Sequence, residues 1–170
     1  MADGQQYCTF SVAGHYFGVD VRHVQEIIRS QEMTRVPLAS PVVRGLINLR
    51  GQIVTAIDLR RRLELKDRDA DQLPVNVVVR TDDGAVSLLV DDIGDVLEVS
   101  EKAFEPPPET LQGIARELVR GAYKLKDRLL LVLDTERTVQ VSSSNRSGSG
   151  PANLPHADVN PSPGTTEKHP

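Results

Sequence analysis

The chain has 170 residues, a net charge of −4, no tryptophan and a single cysteine. That balance argues against a protein built to coat nucleic acid or an anionic membrane, and one thiol excludes an internal disulfide. No apolar run approaches the roughly 20 residues a membrane helix needs. The start, MADGQQYCTF, lacks the basic and apolar regions of a secretory signal, so a cytoplasmic domain with an aliphatic core is expected.

In chain order, YCTFSVA (7–13) and YFGVDV (16–21) alternate around Gly14 and predict two strands joined by a short turn. VRHVQEII (21–28) spaces its apolar residues as a brief helix would. LINLR (46–50) and IVTAID (53–58) read as strands meeting at Arg50-Gly51, followed by a short helical DLRRRL (58–63). VNVVVR (75–80) and AVSLLV (85–90) flank TDDGA, whose Asp-Gly pair favours the positive φ angles of a hairpin turn. PETLQGIAREL (108–118) predicts another helix, and LLLVLD (129–134) the last strand. Beyond Val141, Ser, Gly, Pro and Asn dominate. Residues 142–170 hold too little apolar surface to offset their ordering entropy and read as a disordered tail, leaving a globular part at 5–141. Many short strands with little helix point to small barrels.

The sequence repeats itself. Val43, Arg44, Gly45, Leu49, Asp58 and Arg61 recur as Val119, Arg120, Gly121, Leu125, Asp134 and Arg137, at an offset of 76. Upstream, Val19, Val21, Val24, Glu26 and Ile27 recur as Leu88, Val90, Ile93, Asp95 and Val96, at an offset of 69. A duplicated unit of about 65 to 70 residues is marginal for a core of its own, so two similar barrels packed together, with a groove at their junction, are expected.

Features kept in both copies serve the shared fold. Gly45 and Gly121 then allow a positive φ or a close backbone approach. Arg44 and Arg120 lay aliphatic stems over the barrels. Asp58 and Asp134 each follow an apolar strand and precede a helical pattern, the place of an N-cap. Features in one copy only are better functional candidates. INLRGQ becomes YKLKDR, so Asn48, Arg50 and Gly51 are not kept. Gly51 permits a tight reversal, and Arg50 beside it projects to solvent or to a partner, where its planar fork suits a carboxylate or a carbonyl.

Other chemistry is thin. Arg60, Arg61 and Arg62 are followed at once by ELKDRDADQ and read as a solvated helix face. A nucleic-acid-binding barrel using Arg44, Arg50 and Arg60 to Arg62 is the alternative function, and no aromatic residue stands among those arginines to stack a base. Asp91 and Asp92 could in principle do acid–base work, but no nucleophile or metal cluster accompanies them. His15, His23, His156 and His169 show no metal-site spacing, and there is no phosphate loop. Cys8 alternates with apolar neighbours and reads as a core residue.

FGVDVRHVQEII, VRGLINLRGQIVTAIDLRRRL and AVSLLVDDIGDVLEV together resemble the CheW family of bacterial chemotaxis coupling proteins, over essentially residues 5–141. The resemblance implies a mainly β fold of two intertwined five-stranded β-barrels with a hydrophobic groove between them. It implies an adaptor without catalytic activity or cofactor. Its partners would be the cytoplasmic tip of methyl-accepting chemoreceptors and the regulatory domain of the histidine kinase CheA, with no nucleic acid. It would be cytoplasmic, recruited to the inner face of the membrane at receptor arrays without inserting. Family contact residues fall on Val24, Glu26, Gly45 and Arg50; of these, Gly45 is read as structural first and Val24 as core before contact. Thr55 stands where the family often has proline, and the tail lies outside the family pattern.

Overall fold

In the computed structural model, which describes residues 4–29 and 31–141, the described residues form ten strands and three short helices. The expected tail at 142–170 lies outside them. The first half runs β1 (Gly4–Val12), β2 (His15–Asp20), a 3-10 turn (Val21–His23), β3 (Val24–Ile28), β4 (Val43–Leu49), β5 (Gln52–Asp58) and α1 (Leu59–Arg62). The second runs β6 (Val75–Thr81), β7 (Gly84–Val90), β8 (Asp92–Ser100), a 3-10 turn (Glu101–Ala103), α2 (Ile114–Leu118), β9 (Val119–Lys124), β10 (Leu129–Leu133) and α3 (Thr135–Val139).

These strands make two five-stranded sheets, ordered β8-β1-β2-β10-β9 (the first sheet) and β3-β6-β7-β5-β4 (the second). Each sheet therefore takes a hairpin from one half of the chain and three strands from the other. The repeat offsets turn one order into the other, and they preserve register. The parallel pair Thr55–Val86 of β5 and β7 recurs as Leu131–Phe17 of β10 and β2. Gly45 opposite Ala56 recurs as Gly121 opposite Val132. Val24 opposite Val79, with a bulge after it, recurs as Ile93 opposite Phe10 with the same bulge.

That bulge explains one departure from the sequence reading. Val24 to Ile28 is a strand, and only Val21 to His23 turns helically. The extra residue at the bulge shifts the alternation by one, so apolar residues at 24, 27 and 28 imitate helical spacing. The helix expected at 108–118 shortens to α2, because Pro108 lies in a turn and Gly113 takes φ 64°.

Gly45 and Gly121 mark a seam in each sheet, where one bridge pair joins edge strand β4 or β9 to the chain that follows β3 or β8. Thr34 and Leu46 exchange hydrogen bonds of 2.8 and 2.7 Å, and Glu105 and Ala122 exchange two of 2.9 Å. A Cβ on Gly45 would stand 2.6 Å from the Thr34 carbonyl oxygen, and one on Gly121 2.5 Å from that of Glu105. Neither glycine has a positive φ, so close approach is the reason for both.

Three apolar clusters hold the fold. The largest lies between the sheets and draws on both, with Phe10, Phe17 and Leu131 against Val77, Val79 and Leu88. The interior of the junction between the sheets is thus shared core. Inside the second sheet Ile47, Val54, Ala56, Val78 and Leu89 pack together. Inside the first, Tyr7, Tyr16 and Tyr123 pack with Leu130 and Val132. The core is aliphatic in one sheet only; all three tyrosines of the chain gather in the other.

The arginines of α1 are not a solvated face. Arg60 forms a two-pronged ion pair with Asp91, at 2.9 and 2.6 Å, and Arg61 reaches Asp67. Arg62 is buried and donates to the carbonyl oxygens of Arg137 and Thr138, at 2.8 and 2.9 Å. Arg62 and Thr138 are separated by the repeat offset, so this contact joins equivalent positions of the two halves.

Candidate partner interface

The turn between β4 and β5 is the most distinctive local structure of the second sheet. Arg50 and Gly51 both take positive φ, 51° and 88°, the pattern of a two-residue turn that matches strand twist. Glycine accepts this freely; arginine does so at a cost of about 1 kcal/mol. Asn48 offsets part of that, its Oδ1 accepting from the Gly51 N–H at 2.9 Å. The equivalent turn after Leu125 closes through Leu125 N–H to the Arg128 carbonyl, with no positive φ. Two of the three unrepeated residues therefore shape the turn, and the third, Arg50, is displayed by it.

Arg50 reaches Glu26 on β3, Nη2 to Oε2 at 2.9 Å. Its side chain is 83% exposed, whereas that of Glu26 is 21% exposed. A recessed carboxylate thus orients a guanidinium that remains open to solvent. Exposed pairs of this kind add at most about 1 kcal/mol to stability, so the geometry points outward to a partner more than inward to the fold. Gln31 donates to the Asn48 carbonyl at 3.4 Å, holding the start of the β3–β4 connection beside the turn.

Two exposed isoleucines lie on the strands that carry the pair. Ile53 lies directly opposite Asn48 and is 61% exposed; Ile27 follows Glu26 and is 42% exposed. Sequence reading did not single them out as site residues. The signal was available, since Ile53 and Val54 are consecutive in a strand and cannot both face the same core. Their repeat equivalents, Leu129 and Val96, are exposed too. Val24 instead packs half-buried against the inter-sheet core, and Gly45 is buried at the seam. Arg44 and Arg120 are exposed.

The remaining candidates serve the scaffold. Asp58 Oδ1 accepts from the Arg60 N–H, and Asp134 Oδ1 from that of Arg137, capping α1 and α3. Asp91 sits where the chain crosses between sheets. It accepts from Arg60, from Arg68 Nε at 3.0 Å and from the Ala13 N–H at 2.7 Å. Burial works against its charge, yet the bonds from Arg60 and Ala13 and the charge of Arg68 outweigh that and hold the carboxyl below its usual range. Asp91 is thereby spent on structure, while Asp92 is exposed. Cys8 is buried, and burial pushes its thiol pKa up. Among the described residues, no three His, Cys, Asp or Glu are placed to hold a metal, and no helix is long and apolar enough to cross a membrane.

Comparison with known proteins agrees with this architecture. A family model described as a CheW-like domain matches residues 6–143. The chain is 32% identical over 141 residues to the chemotaxis protein CheW of Bacillus subtilis, covering 83% of this chain and 90% of the relative. It is 31% identical over 134 residues to CheW of Klebsiella aerogenes, covering 79% and 81%. The solved scaffolding protein TtCheW from Thermoanaerobacter tengcongensis superposes with a TM-score of 0.74 at 27% identity, covering 82% of this chain and 94% of that one.

Proposed function

The chain belongs to the CheW-like family, and from that premise we propose that it is a non-catalytic adaptor that couples chemoreceptors to a CheA-type histidine kinase. The observation that carries the reading to particular residues is the outward Arg50–Glu26 pair, on strands that also expose Ile27 and Ile53. An oriented charge pair with exposed isoleucines on the same strands suits a helical ligand. Its apolar stripe covers the isoleucines while a carboxylate or carbonyl takes the free edge of the guanidinium. Rim charges of this type set register and exclude wrong partners more than they add affinity.

The protein works in the cytoplasm and is drawn to the inner membrane face by receptors it does not itself anchor. Each contact is weak alone; repetition in an array supplies high effective concentration. Residues 5–141 form the working domain. Receptor activity reaches the kinase as a shift between kinase conformations that the rigid adaptor transmits. The nucleic-acid alternative has lost most of its surface. Arg60, Arg61 and Arg62 are committed to Asp91, Asp67 and backbone carbonyls.

The test is reconstitution of receptor, kinase and this protein. Arg50→Glu is expected to keep the circular dichroism spectrum and melting temperature while abolishing receptor-dependent kinase activation. Full activation by that variant removes Arg50 from the interface.

A further inference from the structure

We propose a second docking surface, for an acidic apolar segment of a partner protein, at the end of β4 opposite Arg50. The two ends of this strand, Val43 and Leu49, stand about 20 Å apart at the rise of an extended chain. The surface neither overlaps the Arg50–Glu26 pair nor depends on its reading.

Between β3 and β4 the chain runs through RVPLASP (35–41). Leu38 at its crest has φ 64° and is fully exposed, at 106%. A leucine gains nothing from a left-handed backbone, where glycine or asparagine is at ease, and nothing from full hydration. Both penalties fall on one residue, and the fold draws no contact from it. Val36 beside it is 37% exposed. Under the loop lies a cleft of about 500 Å³ with Met33, Pro37, Pro41 and Val43 among its walls.

The cleft's charge names its occupant. Its ionisable walls are Arg35, Arg44 and Arg61, with no carboxylate among them. Arg61 is paired with Asp67, but Arg35 and Arg44 have no ion-pair partner among the described residues. A mixed wall of apolar side chains and arginines, two of them without an ion-pair partner, complements a segment that presents leucine-like side chains between carboxylates. The first sheet has a smaller cleft of about 380 Å³ there, and carboxylates, Asp20 and Glu101, stand among its walls beside Arg22 and Arg120. Phe104 lies over the equivalent seam, against the site where a Gly121 Cβ would be, and its ring meets that of Tyr123 at 5.2 Å, tilted by 53°.

The experiment uses the full chain and three labelled amphipathic peptides with one leucine pattern, their polar positions filled by glutamate, glutamine or lysine. Fluorescence anisotropy is expected to show binding of the glutamate peptide alone, weakening as salt rises. Arg35→Glu with Arg44→Glu should weaken it at least about tenfold, and Leu38→Gly several-fold. Leu38→Gly relieves the left-handed leucine, so its melting temperature should equal or exceed that of the parent chain. Backbone amide shifts should move at 33–44 and stay still at Glu26 and Arg50. Equal binding of all three peptides, undiminished binding by the double variant, or shifts confined to the Arg50 end each overturn the proposal. So does a concentration-dependent dimer in sedimentation that Leu38→Gly abolishes, since the surface would then meet a second copy of the chain.

Discussion

The two sheets share strand order, register, bulges and a glycine seam, yet their interiors have little in common. Position for position, Ile47, Ala85 and Asn76 of the second sheet stand where the first has Tyr123, Tyr16 and Tyr7. The aromatic interior brings polar ends with it. The Tyr16 hydroxyl donates to Thr9 Oγ1 at 2.6 Å, whereas Asn76 in the other sheet accepts from Ser87 at 2.9 Å. Backbone geometry has thus outlasted side-chain packing in the duplicated unit. What must stay fixed is the seam of each sheet; what fills the sheet can be renegotiated as long as volume and hydrogen bonds are satisfied.

The strongest way to break the comparison is at the seams. Gly45→Val and Gly121→Val should each cost about 3 kcal/mol or more, by overpacking against a carbonyl and loss of the paired seam bonds. Urea denaturation should give similar losses for both. A large effect at one glycine and a negligible one at the other would end the equivalence.

Next come the charges that tie the halves together. Arg62→Ala removes donors from two carbonyls and should cost about 2 to 4 kcal/mol in the same assay. Asp91→Asn leaves Arg60 and Arg68 facing each other and should cost about 2 to 3 kcal/mol at neutral pH. Its pH dependence has a definite sign. The native carboxyl is held below its unfolded value of about 3.9, so its contribution is whole above that value and is lost as pH falls toward the native one. Acid unfolding of Asp91→Asn should therefore be shallower below about pH 4 than that of the parent chain. Parallel acid titrations of the two would contradict this.

The smallest effect sharpens the comparison most. A double-mutant cycle of Glu26→Ala and Arg50→Ala should give about 0.5 kcal/mol of coupling, since the arginine is solvated. The equivalent cycle of Asp95→Ala and Lys126→Ala should give none, because no ion pair joins those residues. A coupling of several kcal/mol at Glu26–Arg50 would make the pair a structural element, contrary to its proposed role.

Much of this was legible in the residues. Seven strands, both caps and the Arg50-Gly51 reversal follow from local alternation and turn chemistry, and the offsets exposed the duplication. Three things were not legible, each for a physical reason. The bulge in β3 disguised a strand as helix. The exchange of hairpins between halves depends on long-range pairing that no local pattern encodes. Arg60 to Arg62 looked balanced by the acids that follow them, but Asp91, thirty-one residues beyond Arg60, and the carbonyls of α3 claim two of the three. At the candidate interface, Glu26 and Arg50 were separate expectations, and only the fold brings them within 2.9 Å.

The exchange of hairpins also dictates an order of events during synthesis. When β5 leaves the ribosome, its parallel neighbour β7 has yet to be made, and β1–β2 waits longer still for β10. The first half must persist as an incomplete, edge-exposed intermediate until translation nears Leu133, a state open to chaperone capture and to pairing with a neighbouring nascent chain. By the same logic, two fragments divided between α1 and β6 should each be insoluble when made alone and should rescue one another when made together.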